Sequence, residues 1–260
     1  GQRDRDPGPR KTEMTRWMLL GGLGGFFALA LTATAPATLL DAKLQDASDG
    51  RLRLAEARGT LWSGAGLIEI RDERGRSGLA KPVAWRFLPF GLMRTRLAYE
   101  VELDGGSRPF PVALTWSGLE LADAEISLPA TALGQAAPRL AALGLTGDMH
   151  LQIPELVIGS GALRGSATMQ WRHAGSALSP VSPLGGYEFR ITAEGAAIRT
   201  VLHTLQGPLQ LDGNGLWVTD GQSGFHATAR MPAELQSQLA PFLRLIAVER
   251  GDGSFELQLD

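Results

Sequence analysis

The sequence predicts a mainly β protein (β-rich α+β), with a single N-terminal transmembrane helix followed by a duplicated antiparallel-sheet unit, each copy carrying one packed helix. Three observations predict it. An uninterrupted uncharged run, Trp17 to Leu40, stands near the start behind a basic flank. Beyond residue 50, apolar and polar residues alternate with the period of two that a half-buried strand requires. Thirty-three glycines and fifteen prolines among 260 residues imply many turns between short elements.

The first element is the run itself. From Trp17 to Ala35 it is dense in Leu, Phe, Ala and Gly, and about 19 residues at about 1.5 Å each span roughly 28 Å, close to the hydrocarbon core of a bilayer. Pro36 marks the exit. Arg10, Lys11 and Arg16 precede the run and Asp41, Asp46 and Asp49 follow it, an asymmetry that keeps the amino terminus cytoplasmic. The expected organisation is a cytoplasmic tail over 1–16, a transmembrane helix over 17–38, a first β-rich repeat over 39–153 and a second over 154–260. A cleaved signal peptide competes, because Ala35-Pro36-Ala37 has the small residues of a cleavage site, but the run exceeds the usual apolar core of about 7 to 15 residues. Gly1 to Glu13 precede Met14, read as an over-extended start, and carry no fold argument. Gly21 and Gly25 have the small-xxx-small spacing that lets two membrane helices approach closely.

Next come the strands. Leu97, Tyr99, Val101 and Leu103 alternate with Arg96, Glu100 and Glu102 and run into Asp104-Gly105-Gly106, a strand entering a tight turn. Phe110, Val112, Leu114 and Trp116 give the next. The same reasoning predicts strands around Ile68 and Ile70, and over 83–87, 124–128, 149–153, 167–171, 187–193, 225–231 and 255–259. One wet face and short connections imply mainly antiparallel pairing.

Two segments change period. Leu133, Ala137 and Leu140, and then Leu235, Leu239 and Leu243, recur at helical spacing, predicting single helices over 131–143 and 234–247. The segments are related. Leu128, Pro129, Ala130, Gln135, Ala137, Pro138 and Leu140 match Met231, Pro232, Ala233, Gln238, Ala240, Pro241 and Leu243 at one constant offset, and Gly147, Leu151, Gln152 and Ile153 match Gly253, Leu257, Gln258 and Leu259 after a short gap. Ahead of them, Trp85-Arg86 corresponds to Trp171-Arg172 and Tyr99-Glu100 to Tyr187-Glu188. This is the signature of a duplicated unit.

Chemistry is sparse. Cysteine is absent, which removes disulfide, zinc-thiolate and thiol-nucleophile readings. A formal net charge of −2 leaves no electrostatic footprint for nucleic acid. There is no G-x-S-x-G and no H-E-x-x-H. His150, His173, His203 and His226 are scattered, and His150 and His226 fall on the polar phase of expected strands. No catalytic, cofactor-binding or metal-ligating set is expected, and no small-molecule substrate. Two loops stand out instead. Ser179, Pro180, Val181, Ser182, Pro183 and Leu184, leading into Gly185-Gly186, form a long proline-stiffened segment whose Val181 and Leu184 read as exposed, a candidate partner-contact loop. Gln206 to Gly213 reads as another such loop or as a turn feeding a strand. Trp62, Trp85 and Trp116, on or beside strands, are expected in the core.

These residues carry a family resemblance. Gly59-Thr60-Leu61-Trp62-Ser63-Gly64, Leu128-Pro129-Ala130, Leu143-Gly144-Leu145-Thr146-Gly147-Asp148, Trp171-Arg172, Ser182-Pro183-Leu184-Gly185 with Tyr187, and Thr204-Leu205-Gln206-Gly207-Pro208-Leu209 resemble, in order and spacing, the type II secretion system protein N family. The resemblance implies a single-pass inner-membrane protein of a Gram-negative cell with a periplasmic domain. It implies a non-enzymatic accessory component contacting the outer-membrane secretin and the inner-membrane platform. It supplies no active-site residues. The alternative is a periplasmic lipid-handling or bridging protein resembling the AsmA-like proteins, its strands curled into an apolar trough. What separates the two is whether the segments 133–143 and 235–243 close over the apolar face.

Overall fold

The computed structural model describes residues 34–71, 77–105, 107–136, 138–159, 162–218, 221, 223–251 and 253–259. The expected membrane helix, with Gly21 and Gly25, lies outside the described residues except for 34–38. No helix among the described residues is long and apolar enough to cross a membrane.

One antiparallel sheet of fourteen strands carries the chain, and almost every strand pairs with its neighbour in sequence. Helix α1 (Thr38–Ala47) leads into β1 (Leu52–Gly59), β2 (Ser63–Arg71) and β3 (Ser77–Leu88). A 3-10 turn, Pro89–Arg94, leads to β4 (Leu97–Leu103), β5 (Phe110–Thr115) and β6 (Gly118–Pro129). Helices α2 (Thr131–Ala136) and α3 (Pro138–Ala141) connect β6 to β7 (Leu145–Gly159). Then follow β8 (Ala162–Ser176), β9 (Gly185–Gly195), β10 (Ala197–Gln206), β11 (Gln210–Val218) and β12 (Gly224–Arg230). Helix α4 (Gln236–Leu243), entered through a 3-10 turn, precedes β13 (Val248–Glu249) and β14 (Phe255–Leu259). The order ends β12-β14-β13, the one departure from sequence order.

Both expected helices exist but are shorter than their periodicity suggests. Pro138 opens a second helix, α3, where the sequence predicts one continuous helix over 131–143, because a proline can start a helix but not continue its hydrogen-bond ladder. The second expected helix, over 234–247, contracts to Gln236–Leu243, with Pro241 in its last turn.

The meander sends alternate turns to opposite rims. The turns β1–β2, β3–β4, β5–β6, β7–β8, β9–β10 and β11–β12 lie on one, termed the near rim. The helical connections and the β8–β9 and β10–β11 loops lie on the other, the far rim. The chain joins the fold at the near rim, where Pro36 bridges Thr60, the Ala37 N–H donates to the Gly59 carbonyl at 3.3 Å and the Leu61 N–H to the Ala35 carbonyl at 2.8 Å.

Alternation gives the sheet one apolar face, and a single layer has no second sheet to cover it. The structure meets this by curling. Leu54, Val83, Trp85, Leu103, Phe110, Ala124 and Ile153, from β1 to β7, join Ala37 in one buried cluster, with Leu40 and Leu44 of α1 packed against it. Helix α2 touches β2 and β3 as well as β7; in a flat sheet β3 and β7 would lie roughly 19 Å apart, at about 4.8 Å per strand. Breaks in the ladder help bend it. Glu56 and His173 take left-handed backbone conformations, φ 50° each, at bulges in β1 and β8. Pro154, inside a central strand, occupies the irregularity between Gln152 and Glu155 of β7, where its lack of an N–H costs no ladder bond to β8. On the other half, α4 buries Leu239, Phe242 and Leu243 against Leu209, Ala229 and Phe255. A third cluster, Ala174, Tyr187, Leu202, Phe225 and Ala227, joins them.

The tryptophans divide. Trp85 is buried, and its indole donates to the Thr60 carbonyl at 3.1 Å; Trp171 does the same to Thr146 at 3.0 Å, each reaching back 25 residues. Trp62 is half-buried, edge-on to Phe87 at 4.8 Å. Trp116 corrects the sequence expectation: it is 96% exposed, because β5 ends at Thr115 and the side chain belongs to the turn. Trp85→Ala should therefore lower the folding free energy by about 3 to 5 kcal/mol. Trp116→Ala should change it by no more than about 0.5 kcal/mol. Urea midpoints of the two variants check the contrast.

Candidate interaction surfaces

The two loops singled out from the sequence meet at the far rim. The Leu184 N–H donates to the Ala174 carbonyl at 2.7 Å, and the Leu209 N–H to the Leu184 carbonyl at 3.1 Å. The Tyr187 hydroxyl donates to the Leu209 carbonyl at 3.0 Å. Gly207, at φ 116°, lies so close to the neighbouring loop that a Cβ there would sit 2.3 Å from the Gly185 Cα. The loops form one locked unit, seated on α4.

That seating revises the expected contact residues. Leu184 is 4% exposed and Val181 packs against the α4 cluster, so neither is the exposed apolar contact expected of it. A helix three strands away in the sheet covers them, which the local sequence does not reveal. Ser179 turns inward, its hydroxyl donating to the Val181 carbonyl at 2.9 Å and accepting from the Val181 N–H at 3.2 Å. Pro180, Ser182 and Pro183 remain exposed, with a cis peptide between the last two. Of the six residues, these three present a surface.

The sheet edges differ. At β1 the Leu54 N–H donates to the Asp41 carboxylate at 2.8 Å and the Leu52 N–H to the Ser48 hydroxyl at 3.0 Å, so the α1 region occupies groups that an incoming strand would need. At the other edge β13 pairs only Glu256 and Phe255 of β14, and among the described residues no strand covers the same side of Leu257–Leu259. Exposed Leu245 and Val248 flank this stretch. The near rim carries a further group: Phe90, Leu92 and Met93 in the turn Pro89–Arg94, which the sequence reading did not single out, and Trp116 in the next, all exposed. A run without alternation between two strands, Phe90-Gly91-Leu92-Met93, was its only signal.

The polar face shows ordinary sheet chemistry. Lys81 pairs with Asp104, Arg86 with Glu100 across β3 and β4, and Arg96 with Glu120 at 3.6 Å. His203 Nδ1 lies 3.0 Å from Asp212, both exposed, and His150 Nδ1 lies 3.0 Å from the Ser127 hydroxyl. Such exposed cross-strand pairs contribute about 0.2 to 1 kcal/mol each. His226 stands opposite Asn214 and Gln258 on the same face, and His173 sits at its bulge. Among the described residues no three His, Asp or Glu side chains are placed to hold a metal ion.

The fold and these surfaces define a single-sheet β protein that offers turns and a strand edge to its surroundings, with α2 and α4 both closing over the apolar face. The type II secretion system (T2SS), protein N family model matches residues 50–258. The chain belongs to that family and is a component of type II secretion, associated with other parts of the system. No curated protein and no solved structure matches it.

Burial pushes the Tyr187 phenol well above its ordinary value of 10.0 and raises Tyr99 in the same direction. The folded state thus holds the Tyr187 proton more tightly than the unfolded chain does, and this contribution is complete below pH 10 and lost as pH rises above it. Tyr187→Phe should cost about 1 kcal/mol at neutral pH through the lost bond to Leu209. It should also flatten the fall in stability above pH 10, read from urea midpoints across an alkaline series.

Proposed function

We propose that this protein is a non-enzymatic structural component of type II secretion, held in the inner membrane by the run Trp17–Ala35 with its sheet in the periplasm. In this reading it contacts the outer-membrane secretin and the inner-membrane platform. The observation that carries the reading is the family match over 50–258 joined to the two-rim geometry: the chain at Ala35–Ala37 joins the sheet at one rim, and the locked loop pair projects from the other. A strand of fifteen residues such as β7 extends roughly 50 Å at about 3.3 Å per residue, so the far rim stands well away from the bilayer. Pro180, Ser182 and Pro183 are rigidly presented there, and preorganised loops lose little conformational freedom on binding.

The two halves of the sheet are copies of one unit in this reading. Trp85 with Thr60 and Trp171 with Thr146 repeat one hydrogen bond at one spacing, and each half places a helical connection between adjacent strands of the sheet. Val101 faces Trp85 as Tyr187 faces Trp171, so Tyr187 corresponds in register to Val101 rather than to Tyr99. The boundary expected at 153/154 falls inside β7. The second copy then begins with β7, and the two share one continuous sheet.

A photo-crosslinking amino acid at Ser182 or Pro183, in cells secreting through the system, should capture the secretin or a platform component. The same residue at Thr192, exposed mid-strand on β9, should not. Equal capture from all three positions, or capture of neither component, would refute the far rim as the contact surface.

A further inference from the structure

The near rim carries apolar side chains that the fold does not use. Phe90 is 81% exposed, Met93 83%, Leu92 54% and Trp116 96%. They do not belong to a slack loop. The Thr95 N–H donates to the Leu92 carbonyl at 3.0 Å and the Arg96 N–H to the Gly91 carbonyl at 3.2 Å. Gly91 packs so closely on β4 that a Cβ there would lie 2.8 Å from the Ala98 Cβ. The turn is thus pinned by its backbone, with its large side chains pointing away. Leu97 faces Leu114 across β4 and β5, so the turn holding Trp116 stands beside this one at the same level. Exposed apolar groups gathered at one end of a protein mark a surface that meets something other than water.

Position identifies the occupant. The uncharged run Trp17–Ala35 ends where the chain is fastened to the same rim, by the bond from the Leu61 N–H to the Ala35 carbonyl and the bridge of Pro36 to Thr60. Ala37 is 2% exposed within the main cluster. No spacer separates the run from the sheet. A run that spans a bilayer and ends at Ala35 therefore leaves the near rim no room to stand off from the lipid surface, since each residue of slack would add at most about 3.6 Å. Trp favours the boundary between headgroups and acyl chains, Phe is a common residue on the apolar face of segments that lie in that boundary, and exposed Arg94 beside them suits anionic headgroups.

We infer that the near rim is a membrane-seating surface: Phe90, Met93 and Trp116 insert into the lipid interface around the anchor and hold the sheet upright on the bilayer. The inference rests on the anchor reading and adds to it a fixed orientation for the domain. A cysteine-free chain makes the test direct. Met93→Cys, Trp116→Cys and, at the far rim, Ser182→Cys are each labelled with the environment-sensitive probe NBD. The full chain is reconstituted in vesicles of phosphatidylethanolamine and phosphatidylglycerol. At 93 and 116 the probe should shift to the blue and be quenched by doxyl-labelled lipid, while at 182 it should do neither; unchanged thermal unfolding of all three variants confirms the fold. If 93 and 116 respond like 182 while the chain resists carbonate extraction, the anchor stands and the seating surface is refuted. A blue shift without lipid quenching places the rim against another protein copy and refutes it too. Extraction by carbonate refutes the anchor and the inference together.

Discussion

A single sheet with one apolar face has to find cover for that face within its own chain, and this requirement shapes the rest of the molecule. Two packed sheets cover one another; a lone meander must bend or borrow helices. The chain does both. Its first half curls until residues of β1 and β7 share one cluster and α2 reaches across to β2 and β3. Its second half borrows α4, which buries Leu239 and Leu243 almost completely. The helices thus belong to the core, and their closure removes much of the open apolar trough that a lipid carrier of this shape would need.

The same requirement explains where polar groups are spent. Asp41 and Ser48 satisfy N–H groups at the β1 edge, where an unpaired row would invite association with other strands. Tyr187 uses its hydroxyl to tie two far-rim loops, so the one buried phenol of that cluster also fixes the geometry of the surface above it. The loops gain rigidity from core packing. Their sequence of prolines, glycines and serines alone would suggest independence.

Where alternation is clean the sequence is legible: β4, β5, β9 and β12 lie close to their expected places, and the family resemblance is upheld over most of the chain. The losses have local causes. In β1 the bulge at Glu56 breaks the period after Leu54. In β10 the apolar-facing positions include Thr200 and Thr204 while Val201 and Leu205 face water, which blurs the pattern. In β11, Gly213 and Gly215 mimic a turn; they are glycines because a Cβ at 215 would strike the rings of Trp217 and Phe225, and at 213 Ala227. Helix α1 hides behind the uncharged run whose last residues it uses. Trp116 was misplaced because it continues an alternation that the backbone abandons one residue earlier. The candidate contact loop does join two strands at a rim, β8 to β9, yet the packing of Val181 and the burial of Leu184 depend on α4, some fifty residues downstream, and no local rule carries that information.

Sequence-order pairing also bears on how the chain reaches this structure. Each strand from β2 to β12 pairs with the strand before it, so strand pairing is local in sequence and the entropy of closing long loops between paired strands is largely avoided. A chain emerging amino end first during its synthesis can lay down one hairpin after another without waiting for distant segments. The step that cannot be taken in order is the last: β14 must pass β13 and dock on β12. Until it does, Phe255 is missing from the cluster beneath α4, and the growing sheet keeps a sticky open side.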